Sequence, residues 1–231
     1  MRKIKLFCIP HAGGSAFIYS KWKEFLRNDI ECIPVELAGR GSRMGEEFYD
    51  SLEEAIKDVT HIIENNIGEN DYMIYGHSMG AAIAYETCCK LIEDGYKKPL
   101  QLFLSGRECP FIEKENENIY AMKDEDFKKV VLNLGGTPEE VFEKEDLRKL
   151  FVPIIRSDYK NIETFVPIHK DTVLPVNMTV LNGREDNITE EEIEGWKKLC
   201  SENFRRFDFE GGHFFLHEDP EKVVKIINES V

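Results

Sequence analysis

The chain has 231 residues, and 30 Lys+Arg against 44 Asp+Glu leave a formal charge of −14. An acidic chain without a Lys/Arg-rich block lacks the electrostatic term that drives binding to phosphate backbones, which excludes nucleic-acid recognition as the leading reading. Hydrophobic residues at 42% and charged residues at 32% describe a globular chain, and no apolar run approaches the roughly 20 residues that span a bilayer.

A single domain is expected, because cores stop growing at about 250–300 residues. The start Met1-Arg2-Lys3 followed by Ile4 to Ile9 is too short and too charged for a signal peptide and reads as a buried first strand. The six cysteines, Cys8, Cys32, Cys88, Cys89, Cys109 and Cys200, form no CxxC pair and no His-spaced zinc pattern. They read as small hydrophobes in a reducing, cytoplasmic protein with no metal site. The sequons at Asn177, Asn187 and Asn228 are then chance matches.

In chain order, strands are predicted at 3–9, 30–36, 71–75, 100–106, 176–182 and 204–209, most of them too continuously apolar for one solvated face. Helices are predicted between them at 18–28, 52–66, 79–94, 189–200 and 220–230. Crossovers of this length impose parallel pairing, so the fold class is α/β, a mostly parallel, doubly wound sheet. The alternation breaks between Cys109 and Pro175, where the pattern is helical without a strand. The expected organisation is therefore one domain, with core 1–109 and 175–231 and a helical lid inserted at about 110–174. Within the insertion, Thr137 is expected to cap a helix whose first residue is Pro138.

Tyr75-Gly76-His77-Ser78-Met79-Gly80 follows an apolar strand and opens a helical run. That is the context of a G-x-S-x-G nucleophile elbow, in which Gly76 and Gly80 keep a sharp turn free of side chains and Ser78 is presented above the strand ends. A serine needs a base, and the base an orienting acid, in the chain order Ser, Asp/Glu, His. Asp186 follows the fifth strand and His213 the sixth, so they are assigned as orienter and base. Glu185 is the alternative acid. His217 reads as solvated or structural, His61 and His169 as uninvolved, and Asp158 as a group that could face the cleft. Backbone N–H donors for the oxyanion are expected from Met79, after the nucleophile, and from Ala12 in the loop Pro10-His11-Ala12-Gly13-Gly14. No GxxxxGK[ST] occurs, and Gly39-Arg40-Gly41-Ser42-Arg43-Met44-Gly45 does not fit G-x-G-x-x-G. These elements give a serine hydrolase of the α/β-hydrolase fold.

The substrate comes from a resemblance. The segments Pro10 to Gly14, Glu36-Leu37-Ala38-Gly39-Arg40, Gly76 to Gly80, Leu134-Gly135-Gly136-Thr137-Pro138, Leu147 to Asp158 and Gly211-Gly212-His213-Phe214-Phe215 resemble the type II thioesterases of nonribosomal peptide and polyketide synthesis. The departures are Ala38, where that family usually has proline, and the less typical segment Cys109 to Met122. The resemblance implies the triad Ser78, Asp186 and His213 with oxyanion donors Ala12 and Met79. It also implies an acyl-carrier or peptidyl-carrier partner bearing phosphopantetheine, and no cofactor. Carrier domains are commonly acidic, so docking onto a chain of −14 is expected through a local patch near the lid mouth, with Lys97, Lys98 and Arg156 as candidates, on a monomer. The rival functions are a general esterase or acyl-CoA thioesterase on free substrates, and a non-catalytic acyl- or carrier-binding protein.

Overall fold

The computed structural model describes residues 3–112 and 117–231, so four positions of the less typical Cys109–Met122 segment, 113–116, lie outside the described residues. The six apolar runs form strands β1 (Ile4–Ile9), β2 (Ile30–Pro34), β3 (Tyr72–His77), β4 (Gln101–Ser105), β5 (Met178–Gly183) and β6 (Phe204–Phe209). All five pairings are parallel, in the order β2-β1-β3-β4-β5-β6. The chain runs from β1 outward to β2 and returns to place β3 on the other side of β1. This puts the switch point of the sheet between β1 and β3, where a crevice opens beyond the carboxyl ends of the strands.

Alternate side chains on each strand feed two cores. Phe7, Ile9, Tyr72 and Ile74 face one way, against α1 (Leu52–Ile67) and α2 (Met79–Glu93). Leu6, Cys8, Met73 and Tyr75 face the other way, against a 3₁₀ segment (Ala16–Glu24) and the C-terminal helix α8 (Pro220–Asn228). The helix expected at 18–28 is this 3₁₀ segment. Three residues per turn bring Tyr19 and Trp22 to one side, and their ring centroids lie 5.9 and 4.8 Å from Tyr75. No described helix is long and apolar enough to cross a membrane.

Between β4 and β5 lie α3 (Asp124–Leu134), α4 (Glu140–Glu143) and α5 (Glu145–Thr164), with no strand among the described residues there. These helices share a small core of their own, built on Phe127, Val131, Val141, Phe142 and Ile155. Thr137 does not cap a helix. The turn Gly135-Gly136, with φ of 89° and 76°, carries the chain past Pro138, and α4 begins at Glu140. The last elements are α6 (Glu190–Glu194), capped by a Thr189/Glu192 capping box, and the short α7 (Phe215–Glu218) after β6.

Candidate active site

Four loops that leave carboxyl ends of strands converge on one cavity of about 630 Å³, whose lining includes Ala12, Ser78, Met79, Asp186 and His213. Ser78 joins β3 to α2 with φ 55° and ψ −118°, a conformation that non-glycine residues rarely hold. Two close approaches make it. A Cβ on Gly76 would lie 2.0 Å from the Gly80 carbonyl oxygen, and one on Gly80 would lie 2.3 Å from the Ile9 carbonyl oxygen. Gly76 therefore closes the elbow, and Gly80 seats the first turn of α2 directly against the end of β1, beside the loop that carries Ala12. The Ser78 N–H is taken by the Ser105 carbonyl at 2.8 Å. Met79, as the first residue of α2, has an N–H without a partner inside the helix.

His213 follows β6 and is largely buried, with 10% of its side chain exposed. Its Nδ1 lies 2.7 Å from Asp186 Oδ2. A carboxylate only accepts, so Nδ1–H donates, and in the neutral imidazole the lone pair is then on Nε2. That Nε2 is buried and without a hydrogen-bond partner. Asp186 Oδ1 accepts from the Asn187 N–H at 2.8 Å, which leaves Oδ2 for the imidazole. Glu185, one residue earlier, is exposed to solvent. The loop geometry thus brings Asp186, rather than its neighbour, to His213.

Three further histidines surround this one. His77 lies 5.0 Å from His213 between ring centroids, and His11 lies 6.1 Å from His77 and 5.7 Å from His217. Phe214 stands among them, 4.7 Å from His11 and stacked on His217 at 5.4 Å. Burial pushes the His11 imidazole down to about 3, a shift that the charges of His217, His213 and Arg40 reinforce. His77 is held well below its ordinary value by the same cause, and His217 is lowered by burial too. A neutral His11 donates from Nδ1 to the Ala12 carbonyl at 2.9 Å. The His213 imidazole thus stands among the buried and uncharged imidazoles of His11 and His77 at neutral pH. His217, read from sequence as solvated or structural, is exposed to solvent and stacks on Phe214 at the edge of this cluster. Among the described residues no three His, Cys, Asp or Glu groups converge as a metal site would.

The insertion supplies walls and a brace. Val131, Leu134, Ile155 and Tyr159 line the cavity opposite Ser78. Asp158 does not face the cleft. It is 2% exposed and meets Arg40 in a two-pronged pair, Nη1–Oδ2 at 2.5 Å and Nη2–Oδ1 at 2.7 Å, while Oδ2 also accepts from the Gly13 N–H at 2.7 Å. Burial opposes the Arg40 charge, and the Asp158 carboxylate more than offsets this, raising the guanidinium above its ordinary value. Sequence reasoning missed Arg40 as a partner, because 118 residues separate the two.

His169, read as uninvolved, bonds Glu86 of α2 through Nδ1 at 2.5 Å and so ties the chain after α5 to the helix that follows the elbow. The expected docking cations are displaced from that role. Lys97 and Lys98 precede β4, and Lys97 pairs with Asp71 at the start of β3, so both lie at the opposite end of the sheet from Ser78. Arg156 is spent internally: it donates to the Tyr120 and Met122 carbonyls at 2.6 and 3.0 Å, and to Asp124 at 2.7 Å, and covers the Phe127 ring at 4.0 Å.

Known proteins share this arrangement along the whole chain. A model of the thioesterase domain matches residues 4–231. A protein named linear gramicidin dehydrogenase LgrE, from Brevibacillus parabrevis, is 31% identical over 99% of this chain and 88% of its own. The crystal structure of ClbQ from the colibactin NRPS/PKS pathway superimposes with a TM-score of 0.93 at 32% identity, covering 99% of this chain and 96% of that one. BorB, a type II thioesterase from the borrelidin biosynthetic cluster, gives a TM-score of 0.88 at 28% identity over 99% and 92% of the two chains. The chain belongs to the thioesterase domain family and has the α/β-hydrolase fold of the type II thioesterases.

Proposed function

We propose that the protein is a stand-alone thioesterase that hydrolyses acyl groups from the phosphopantetheine arm of a carrier protein, regenerating carriers in nonribosomal peptide or polyketide synthesis. The observation that carries this reading is the His213 imidazole, fixed by Asp186 on one nitrogen and bare on the other, in the same cavity as a serine held at φ 55°. LgrE's printed name speaks of a dehydrogenase. Here the turn after β1 reads Pro10-His11-Ala12-Gly13-Gly14 and lacks the G-x-G-x-x-G cradle a dinucleotide would need, and the serine after β3 favours acyl transfer to water.

In this reading His213 Nε2 takes the proton of Ser78 as its oxygen attacks the thioester carbonyl. The oxyanion forms against the Ala12 and Met79 N–H groups, and Asp186 steadies the imidazolium. Collapse expels the arm as a thiol, which at a pKa of about 8.5 leaves with far less protonation than an amine or alkoxide requires. Water deprotonated by the same Nε2 then cleaves the acyl-enzyme and frees the acid. The helices between β4 and β5 act as a lid whose apolar side chains hold the acyl chain, in a cavity of a size typical for ligand sites.

The test is mass spectrometry of an acylated carrier before and after treatment with wild type and with Ser78→Ala. Wild type should strip the acyl group, and the variant should fold yet lose turnover by at least about 10³-fold. An unchanged rate in the variant would remove Ser78 from the chemistry. A preference of orders of magnitude for acyl-CoA or p-nitrophenyl esters over acyl-carrier would replace the carrier with a free substrate.

A further inference from the structure

We infer that the buried Arg40–Asp158 pair is a positioning device for the oxyanion hole, through which the insertion holds the Ala12 N–H in register with the nucleophile. The inference rests on the roles of Ser78 and Ala12 given above.

Helix α5 grips the loop after β1 at two points on one face. Ile155 and Asp158, three residues apart, are neighbours on the helix surface. A Cβ on Gly13 would lie 2.7 Å from Ile155 Cγ1, and the Gly13 N–H donates to Asp158 Oδ2 at 2.7 Å. Gly13 has φ 76°, so the next peptide turns sharply after Ala12. Arg40 holds the far side of the same turn: its Nη1 donates to the Gly14 carbonyl at 3.2 Å and its Nε to the Ala38 carbonyl at 3.4 Å. Ala12 is thus followed by two residues whose N–H and C=O are pinned by one ion pair. The side chains of that pair are each 3% exposed.

The charges explain why two residues are used. A lone carboxylate on the Gly13 N–H would stand close to the developing oxyanion and oppose it. The two-pronged guanidinium cancels that field while leaving the carboxylate free to accept from the backbone. Neither side chain lines the cavity, so the pair touches no substrate. An effect confined to the transition state is therefore its signature, whereas a purely structural pair would change only the amount of folded enzyme.

The experiment compares Asp158→Asn, Arg40→Lys and wild type, with rates divided by the active-site concentration titrated with a fluorophosphonate. Three quantities are read on a medium-chain acyl thioester: kcat, KM and the Ki of an alkyl boronic acid, whose tetrahedral serine adduct places an oxygen in the oxyanion hole. The affinity of a non-hydrolysable acyl thioether serves as the ground-state control. Asp158→Asn should lower kcat about 10- to 100-fold and raise the boronate Ki by a similar factor, with KM and thioether affinity within about threefold of wild type; deleting a donor outright costs about 10²–10³. Arg40→Lys, which keeps the charge and leaves no orphaned ion, should show the same split at about 3- to 10-fold. It carries the test if Asp158→Asn does not fold.

Normalised kcat and boronate Ki within twofold of wild type in the folded variants would overturn the inference, as would equal losses in boronate and thioether affinity. Ser78→Ala separates this from the parent reading. A dead Ser78→Ala beside wild-type-like strut variants sinks only the strut, while an active Ser78→Ala sinks the reading beneath it.

Discussion

The sheet and the insertion contribute to one cavity in different ways. The loops leaving β1, β3, β5 and β6 carry every group read here as reacting or stabilising charge, and strand register places each of them. The helices between β4 and β5 carry none. They bring apolar walls, a brace on the loop after β1, and a small core of their own that is separate from the two cores of the sheet. One consequence is that faults in the two regions should look different. A fault at a strand end should destroy chemistry, and a fault in the insertion should loosen the chamber while the sheet stands, reaching the chemistry only through the brace at Asp158.

The largest expected effect tests the first half of that contrast. Gly76→Ala would force a Cβ to within 2.0 Å of the Gly80 oxygen and 2.4 Å of the Gly80 carbonyl carbon, and both are backbone atoms that cannot step aside. The cost should exceed about 4 kcal/mol, with loss of folded protein or a collapse of activity in whatever remains. A stable and active Gly76→Ala enzyme, measured by thermal melt and turnover, would mean that the elbow is not what positions Ser78.

Asp186→Asn comes next. It keeps the shape and leaves His213 without a carboxylate to fix its tautomer, so kcat should fall by about 10⁴ while the melting temperature moves by only a few degrees. A fall of less than tenfold would transfer the orienting role elsewhere, Glu185 being the nearest acid.

The strands and the placing of the candidate residues were legible because those residues follow the order of the strands. All six strands fall where continuous apolar runs predicted them, and Ser78, Asp186 and His213 were picked by their position after strands three, five and six. The sheet order was not legible, since parallel crossovers say nothing about which neighbour a strand chooses. What failed was long-range or local in a way that composition hides. Lys97 and Lys98 read as docking cations, and the strand direction puts them at the far end of the sheet. Arg156 reads as exposed charge, yet the carbonyls of Tyr120 and Met122 consume it. Thr137-Pro138 has the form of a helix start, and the two left-handed glycines before it spend those residues on a turn. Asp158 read as an acid that could face the cleft, and its buried partner Arg40 and its hold on Gly13 exist only in three dimensions.

The insertion's half of the contrast is tested at Phe127. This ring is fully buried beneath the Arg156 guanidinium and lies 5.8 Å from Tyr159 and 6.5 Å from Phe142. Phe127→Ala should cost about 3–5 kcal/mol locally. Hydrogen exchange should speed up across residues 119–164 while the amides of β1, β3 and β4 stay protected. Hydrolysis of a medium-chain thioester should weaken through KM, and acetyl thioester turnover should fall no further than it does in Asp158→Asn, which releases the same brace on Gly13. Equal loss of protection in the sheet would show that the insertion and the sheet unfold as one unit.

The smallest effect returns to the histidine cluster and gives the sheet side a pH signature. His11 lies in the loop after β1, His77 ends β3 and His217 is on α7, all with folded values below the ordinary 6.5, His11 near 3. Unfolded, each takes up a proton near pH 6.5; folded, each resists. For the buried His11 the stability conferred is therefore complete above about pH 6.5 and drains away as the pH falls toward 3, by up to about 1.4 kcal/mol per pH unit. Carboxylates begin to titrate below about pH 5, so the window from 5 to 6.5 isolates the histidines. His11→Asn keeps a donor for the Ala12 carbonyl and removes the titration, so the fall in urea midpoint across that window should flatten by about one proton's worth. An undiminished slope would mean that His11 is not held neutral by its burial. The acid sensitivity would then have to come from elsewhere than the loops that build the site.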